Sequence, residues 1–292
     1  MLADAIEVFA SPTRRECEER AFVLTAVGVP HFLTQSPQGF ALLVDPEYLA
    51  QARDHLLLYQ QERRRPPPRA PVVPVRHYAY AWVGSLIYAL VLLGVAAAIG
   101  FGWGRLDAFE AGSLNAGLVR EGQWWRAWTS LTLHLDAAHI AANLAAGAWF
   151  GYLAGRLLGP GTAWALVVLG AGAANWVESL LAAADHRSVG ASTAVFTALG
   201  LLAAYTWRER HSMALRPAQR YGPLFAGVIL LGWLGTSGEH TDVMAHLLGF
   251  AVGGMLGALI AGARLQRLWR RLPQWVGGAI ALGVLGLAWA CA

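Results

Sequence analysis

The sequence predicts an all-α polytopic membrane helix bundle, six spans plus a seventh, preceded by a small N-terminal α/β cytosolic domain. Three observations carry this. Hydrophobic residues make up 56% of the 292 positions and charged residues only 14%, against about 25% charged in a soluble domain. The mean hydropathy is +0.43, and the apolar residues fall into seven runs separated by polar loops, most of them arginine-bearing, the pattern of spans and connections. The 13 tryptophans suit a chain that meets two membrane–water interfaces.

The charge points the same way. All 22 basic residues are arginine. A net charge of +4 and a pI near 9.4 could suit nucleic acid, but the arginines are scattered over loops between apolar runs, so topology explains them and no nucleic-acid partner is expected. Cys17 and Cys291 stand at opposite ends of the chain, which excludes a disulfide framework and any cysteine metal motif. The first 20 residues are charged and have no long apolar core, so they do not read as a signal peptide.

Residues 1–62 read as the soluble α/β domain, in the order β-α-β-β-α. Ile6-Glu7-Val8-Phe9 alternates as a strand does. Thr13 with Glu16 three residues on has the form of a capping box, and Gly28 ends the helix that follows. Ser36-Pro37-Gln38-Gly39 separates two apolar runs as a hairpin turn would, and Asp45-Pro46 opens a second helix. This order resembles small prokaryotic βαββα domains associated with signal transduction, which implies a regulatory or dimerising appendage. Residues 63–78, with Arg63-Arg64-Arg65-Pro66-Pro67-Pro68-Arg69, read as an extended linker whose arginines mark the cytoplasmic side.

A six-helix core is expected over 79–262, and an extra transmembrane helix over 263–292. The spans are placed near Ala79–Phe101, His139–Gly155, Gly161–Leu181, Ser192–Trp207, Gly222–Gly235, Val243–Gly262 and Trp275–Ala290. Loops carrying Arg63–Arg65, Arg69, Arg76, Arg156, Arg208, Arg210, Arg216, Arg220, Arg264, Arg267, Arg270 and Arg271 are assigned inside. Outer loops carry fewer arginines, offset by acids including Asp107, Glu110, Asp136, Asp185, Glu239 and Asp242. The N-terminus is then cytoplasmic and the C-terminus outside, in the inner (plasma) membrane of a bacterium. At sixteen residues from Ser192 to Trp207, the fourth span covers roughly 24 Å of a hydrocarbon core about 30 Å thick. Ser192 is therefore expected below the outer boundary, beside a wet cavity.

Three polar groups fall at that depth. Gly190-Ala191-Ser192 opens the fourth span. His246 stands near the outer end of the sixth, one turn above Gly249, and Gly249 with Gly253 forms a small-xxx-small face for close helix approach. His139 and Asn143, four apart at the start of the second span, point the same way and offer two donors beside a nucleophile. Each feature alone has a structural reading. Three on alternate helices at one depth favour a single active site.

Trp125-Arg126, His134-x4-His139-x3-Asn143, Gly190-x-Ser192 and Ala245-His246-x-x-Gly249 resemble, in order and spacing, the rhomboid intramembrane serine proteases across about 80–262. The resemblance implies a Ser–His dyad without an aspartate, Ser192 as nucleophile and His246 as base. It also implies an oxyanion hole from His139, Asn143 and the Ser192 backbone N–H. Trp125, Arg126 and His134 map to structural positions of the outer loop, with Gly190, Phe196, Gly249 and Gly253 structural near the site. The implied partners are transmembrane protein substrates and the lipid bilayer, with no cofactor. Three departures stand out. Thr193 replaces the usual Gly and is expected to crowd the oxyanion hole, Phe196 stands where Tyr is common, and Gly155-Arg156 stands where a glutamate is often found.

Two other classes compete. One is a catalytically weak or inactive rhomboid-like scaffold that binds transmembrane helices. The other is a metal transporter using His134, His139, His186, His240 and His246; the sequence places no carboxylates or thiolates in clusters beside them, so no metal site is expected. A soluble nucleophile-elbow hydrolase is excluded, because Gly190-Ala191-Ser192-Thr193-Ala194 lacks the closing Gly and follows no strand pattern.

Overall fold

The computed structural model describes residues 5–64, 77–102, 108–211, 213, 215–235, 241–262, 265, 269 and 271–292. Most of the 63–78 linker lies outside the described residues, as do Arg105, Asp107, Glu239, His240, Arg264, Arg267 and Arg270. The chain divides into two compact units, Met1–Val72 and Val73–Ala292.

The first unit contains β1 (Ile6–Ser11), α1 (Arg14–Ala26), β2 (Phe32–Ser36), β3 (Gly39–Val44) and α2 (Leu49–Arg64). The antiparallel sheet has the order β1-β3-β2, and its core is built from Leu24, Val29, Leu42, Val44 and Ala52. The expected capping box is rearranged. Thr13 makes no side-chain cap bond; Ser11 accepts from Thr13 N–H at 3.1 Å and donates to Glu16 at 2.6 Å. Asp45 likewise makes no cap bond, because Pro46 starts a single 3₁₀ turn before α2. Cys17 is fully buried, its thiol directed at the Phe40 carbonyl.

The second unit is helical. Its seven helices of eighteen residues or more, among the described residues, are α3 (Trp82–Gly100), α7 (Ala137–Leu158), α8 (Pro160–Leu181), α9 (Ser192–His211), α10 (Pro217–Gly235), α11 (Val243–Ile260) and α12 (Gln274–Cys291). Four of them, α3, α8, α11 and α12, are long and apolar enough by themselves to cross a membrane. Helix α9 runs one turn past the expected end at Trp207. That turn carries Arg208, Arg210 and His211, so the apolar part still ends where the sequence places it. Helices α8 and α9 form the interior, buried along most of their length, and the other long helices pack around them.

The connection between α3 and α7 is structured in short pieces that the apolar pattern does not reveal. These are α4 (Ala108–Gly112), β4 (Leu114–Asn115), α5 (Ala116–Arg120) and α6 (Arg126–Thr129), followed by a 3₁₀ turn over Ser130–Thr132. Strand β4 pairs with β5 (Arg187–Ser188) in the loop before α9. Helix α12 docks beside α8 through backbone contact between Gly161 and Gly277. Gln274 bridges to Thr162 at one end, and Trp289 donates to Thr132 at 3.1 Å at the other.

Candidate active site

The approach to Ser192 is fixed by its backbone. Gly190 has φ +130°, a region L side chains rarely adopt. Its N–H donates to the Ser130 carbonyl at 2.9 Å, and the next N–H, of Ala191, donates to His134 Nε2 at 3.3 Å. With the β4–β5 ribbon just upstream, the connection between α3 and α7 holds this segment at three successive points. Ser192 then opens α9 and is half-buried. At the first turn of a helix the backbone N–H groups have no intrahelical acceptor, and the helix dipole favours negative charge.

Helix α7 brings two polar side chains to the same place. Asp136 caps it by accepting from His139 N–H at 2.8 Å, which places His139 in the first turn and Asn143 one turn deeper, where it is buried. A β-carbon at Gly190 would lie 2.7 Å from His139 Nε2 and 3.7 Å from Asn143 Nδ2. Both side chains therefore lie against the glycine two residues before Ser192. Tyr88 of α3 supports this turn by donating to the Asn143 carbonyl at 2.8 Å.

Helix α11 brings His246. Asp242 caps it by accepting from Ala245 N–H at 3.1 Å. Helices α9 and α11 run parallel and nearly touch: added β-carbons at Gly249, Gly253 and Gly257 would meet the carbonyl oxygens of Thr193, Thr197 and Leu201 in turn. This register sets His246 beside the first turn of α9. Its ring packs on Phe196 with centroids 4.3 Å apart, and its Nδ1 lies 2.9 Å from the Gly235 carbonyl at the end of α10. A carbonyl can only accept, so Nδ1 carries the proton and Nε2 keeps its lone pair.

Thr193 corrects an expectation. It is buried with its methyl toward Gly249 on the α11 side, away from the face that carries His139 and Asn143. A helix turns about 100° per residue, so the residue after Ser192 points to the neighbouring helix. Trp125 and Arg126 lie at the start of α6, in the connection between α3 and α7. Buried Arg126 donates to Gln123, to the Glu110 carbonyl at 2.7 Å and to the Ser113 carbonyl at 2.9 Å, and Trp125 reaches the Ala111 carbonyl. His134 packs edge-on to His139, with centroids 5.0 Å apart. Burial, and secondarily the His139 ring, push its pKa down to about 4.

A second polar cluster corrects the expectation that no carboxylates gather at the histidines. His186 Nε2 lies 3.4 Å from Glu178 and 3.2 Å from Asp242. Glu178 and His186 flank the end of α8 and Asp242 lies far along the chain, so the three meet only through folding and no local motif signals them.

A bundle with an interior Ser-bearing helix and polar side chains gathered at its mouth defines a polytopic membrane protein with one candidate site. Residues 121–263 match the family model of the Rhomboid domain. This part of the chain is a Rhomboid domain, and the chain is an integral membrane protein. It is similar to "Rhomboid protease GluP" of Bacillus subtilis (strain 168), 31% identical over 154 residues, which are 53% of this chain and 28% of that protein. It is also similar to "Rhomboid-like protease 2" of Toxoplasma gondii, 28% identical over 164 residues, 54% of this chain and 53% of that protein. The matches thus span about a quarter and about half of those relatives.

Proposed function

We propose that the chain is an intramembrane serine endopeptidase that cleaves transmembrane segments of membrane proteins near the outer face. The observation that carries this reading is the gathering of His139 and Asn143 from α7 against Gly190, two residues before Ser192, with His246 from α11 packed on Phe196 one turn after it. His246 Nε2 takes the proton of Ser192 Oγ as the oxygen attacks the scissile carbonyl. The oxyanion is met by the Ser192 N–H, Asn143 Nδ2 and His139, donors fixed before the charge forms. The protonated His246 passes its proton to the leaving amine. A water then repeats the sequence on the acyl-enzyme, and Ser192 is regenerated. The backbone carbonyl of Gly235 does the orienting that a carboxylate does in a triad.

Under this reading the N-terminus is cytoplasmic, the C-terminus lies outside, and residues 1–62 are an appendage dispensable for the chemistry. The deciding experiment compares wild type with Ser192→Ala on a transmembrane reporter in detergent, with a fluorophosphonate probe on both. Cleavage and labelling by wild type alone are expected. A folded wild type that neither cleaves nor labels would leave the scaffold reading in place.

A further inference from the structure

Glu178, His186 and Asp242 converge from three elements: the last turn of α8, the loop before α9 and the cap of α11. Glu178 is fully buried, and no N–H or hydroxyl donor of the described residues reaches either of its carboxylate oxygens; its close polar neighbours are the Asp242 carboxylate and His186 Nε2. Asp242 divides its work, because Oδ1 caps α11 while Oδ2 faces the cluster. Two adjacent buried carboxylates are costly unless a positive charge compensates them.

We propose that Glu178, His186 and Asp242 form a binding site for a divalent cation of the zinc class. One ligand atom from each residue lies within 4.8 Å of the others, and His186 Nε2 is 3.4 Å from Glu178 Oε1 and 3.2 Å from Asp242 Oδ2. A tetrahedral ion with bonds of about 2.0–2.1 Å sets its ligands roughly 3.3–3.4 Å apart. One imidazole with two carboxylates suits zinc, whereas calcium asks for six or more oxygens. The two carboxylates balance the ion's charge, and a fourth position remains for water. The site joins the loop that leads to Ser192 to the helix that carries His246, so the ion acts as a clamp between them. It needs no proteolytic activity and stands apart from that reading.

The test is zinc titration of the full-length, chelator-stripped protein in detergent by calorimetry, with zinc K-edge absorption on the loaded sample. Wild type should bind one ion in a shell of one imidazole with oxygen ligands. Glu178→Gln and His186→Gln should each weaken binding by more than the roughly 10–100-fold that loss of an outer-shell partner costs. His186→Gln changes a partly exposed loop residue and keeps the test alive if Glu178→Gln fails to fold. An absence of zinc binding by wild type overturns the proposal. So does affinity unchanged in a folded variant, which would move the ion elsewhere, for instance to His134 and His139.

Discussion

His246 Nδ1 lies 2.9 Å from the carbonyl oxygen of Gly235, eleven residues earlier in the chain. This one contact fixes the tautomer that a base requires and uses no ionisable partner. A backbone acceptor stabilises a developing imidazolium less than a carboxylate does, so the proposed dyad would depend more on fixed geometry, supplied here by Phe196 against the ring. His246→Ala should lower turnover on the transmembrane reporter by about 10⁴–10⁶, the range for removing one member of a serine hydrolase unit. It should also suppress fluorophosphonate labelling of Ser192. Labelling at the wild-type rate would place the base elsewhere.

The proposed oxyanion donors should behave differently. Losing one preorganised donor typically costs about 10²–10³ in rate, so Asn143→Ala should leave measurable cleavage. The main effect belongs in kcat rather than KM, because the bond strengthens only as negative charge forms. His139→Ala should resemble it. Equal kcat with a raised KM in both variants would make them substrate-binding residues instead.

Much of this was legible in the residues, and the limits have a physical source. Ser192, His246 and His139 sit in the first turns of their helices and Asn143 one turn after His139, so periodicity and loop charge suffice to expect these residues at one end of the bundle. The small-xxx-small face of Gly249 and Gly253 announces a close neighbour, and the structure makes that neighbour α9. The Gly235 carbonyl carries no side-chain signal. The β4–β5 ribbon is two residues per strand, too short for alternation to register. The meeting of Glu178 with His186 and Asp242 depends on where three separate elements end. Capping in the first unit was misplaced because Ser11, at the end of a strand, outcompetes Thr13 for Glu16.

Gly190→Ala should be severe for two independent reasons. The backbone there has φ +130°, and the new methyl carbon would sit 2.7 Å from His139 Nε2 and 2.8 Å from Cε1. Relief requires the turn before Ser192 to move, or His139 to leave it. The expectation is a loss of cleavage at least as large as that of His139→Ala, with the protein still folded in detergent. Activity within a few-fold of wild type would show that the turn tolerates the shift and that its geometry is not critical.

His134 gives the protein an acid sensitivity with a definite direction. Burial holds its pKa at about 4, against about 6.5 in an unfolded chain. Between those values the unfolded chain takes up a proton that the folded chain refuses, so stability falls as pH drops from about 6.5 to about 4 and levels off below. Protonation also removes the acceptor for the Ala191 N–H. The groups nearest the ring are His139 and Asp136, and the former works in the same direction. Unfolding midpoints in detergent across pH 7.5 to 4 should therefore fall less for His134→Gln, whose amide oxygen can still accept from Ala191 but does not titrate. Parallel curves for the two proteins would remove His134 as the cause.

The contact between α9 and α11 can be tested with neighbouring glycines on one helix. At Gly253 an added β-carbon would collide with the Thr197 carbonyl, which is backbone and cannot rotate away. At Gly254, one residue on, the nearest atom is the Gly200 carbonyl at 4.0 Å, an ordinary contact. Overpacking a closed contact costs about 1–3 kcal/mol, while Gly→Ala in an open helix position lowers the entropy lost on folding. Gly253→Ala should therefore unfold more readily in detergent and cleave more slowly, because the shift separates His246 from the first turn of α9. Gly254→Ala should match or exceed wild-type stability with its cleavage intact. Equal destabilisation by both would mean that helix packing here is looser than the Thr197–Gly253 contact implies.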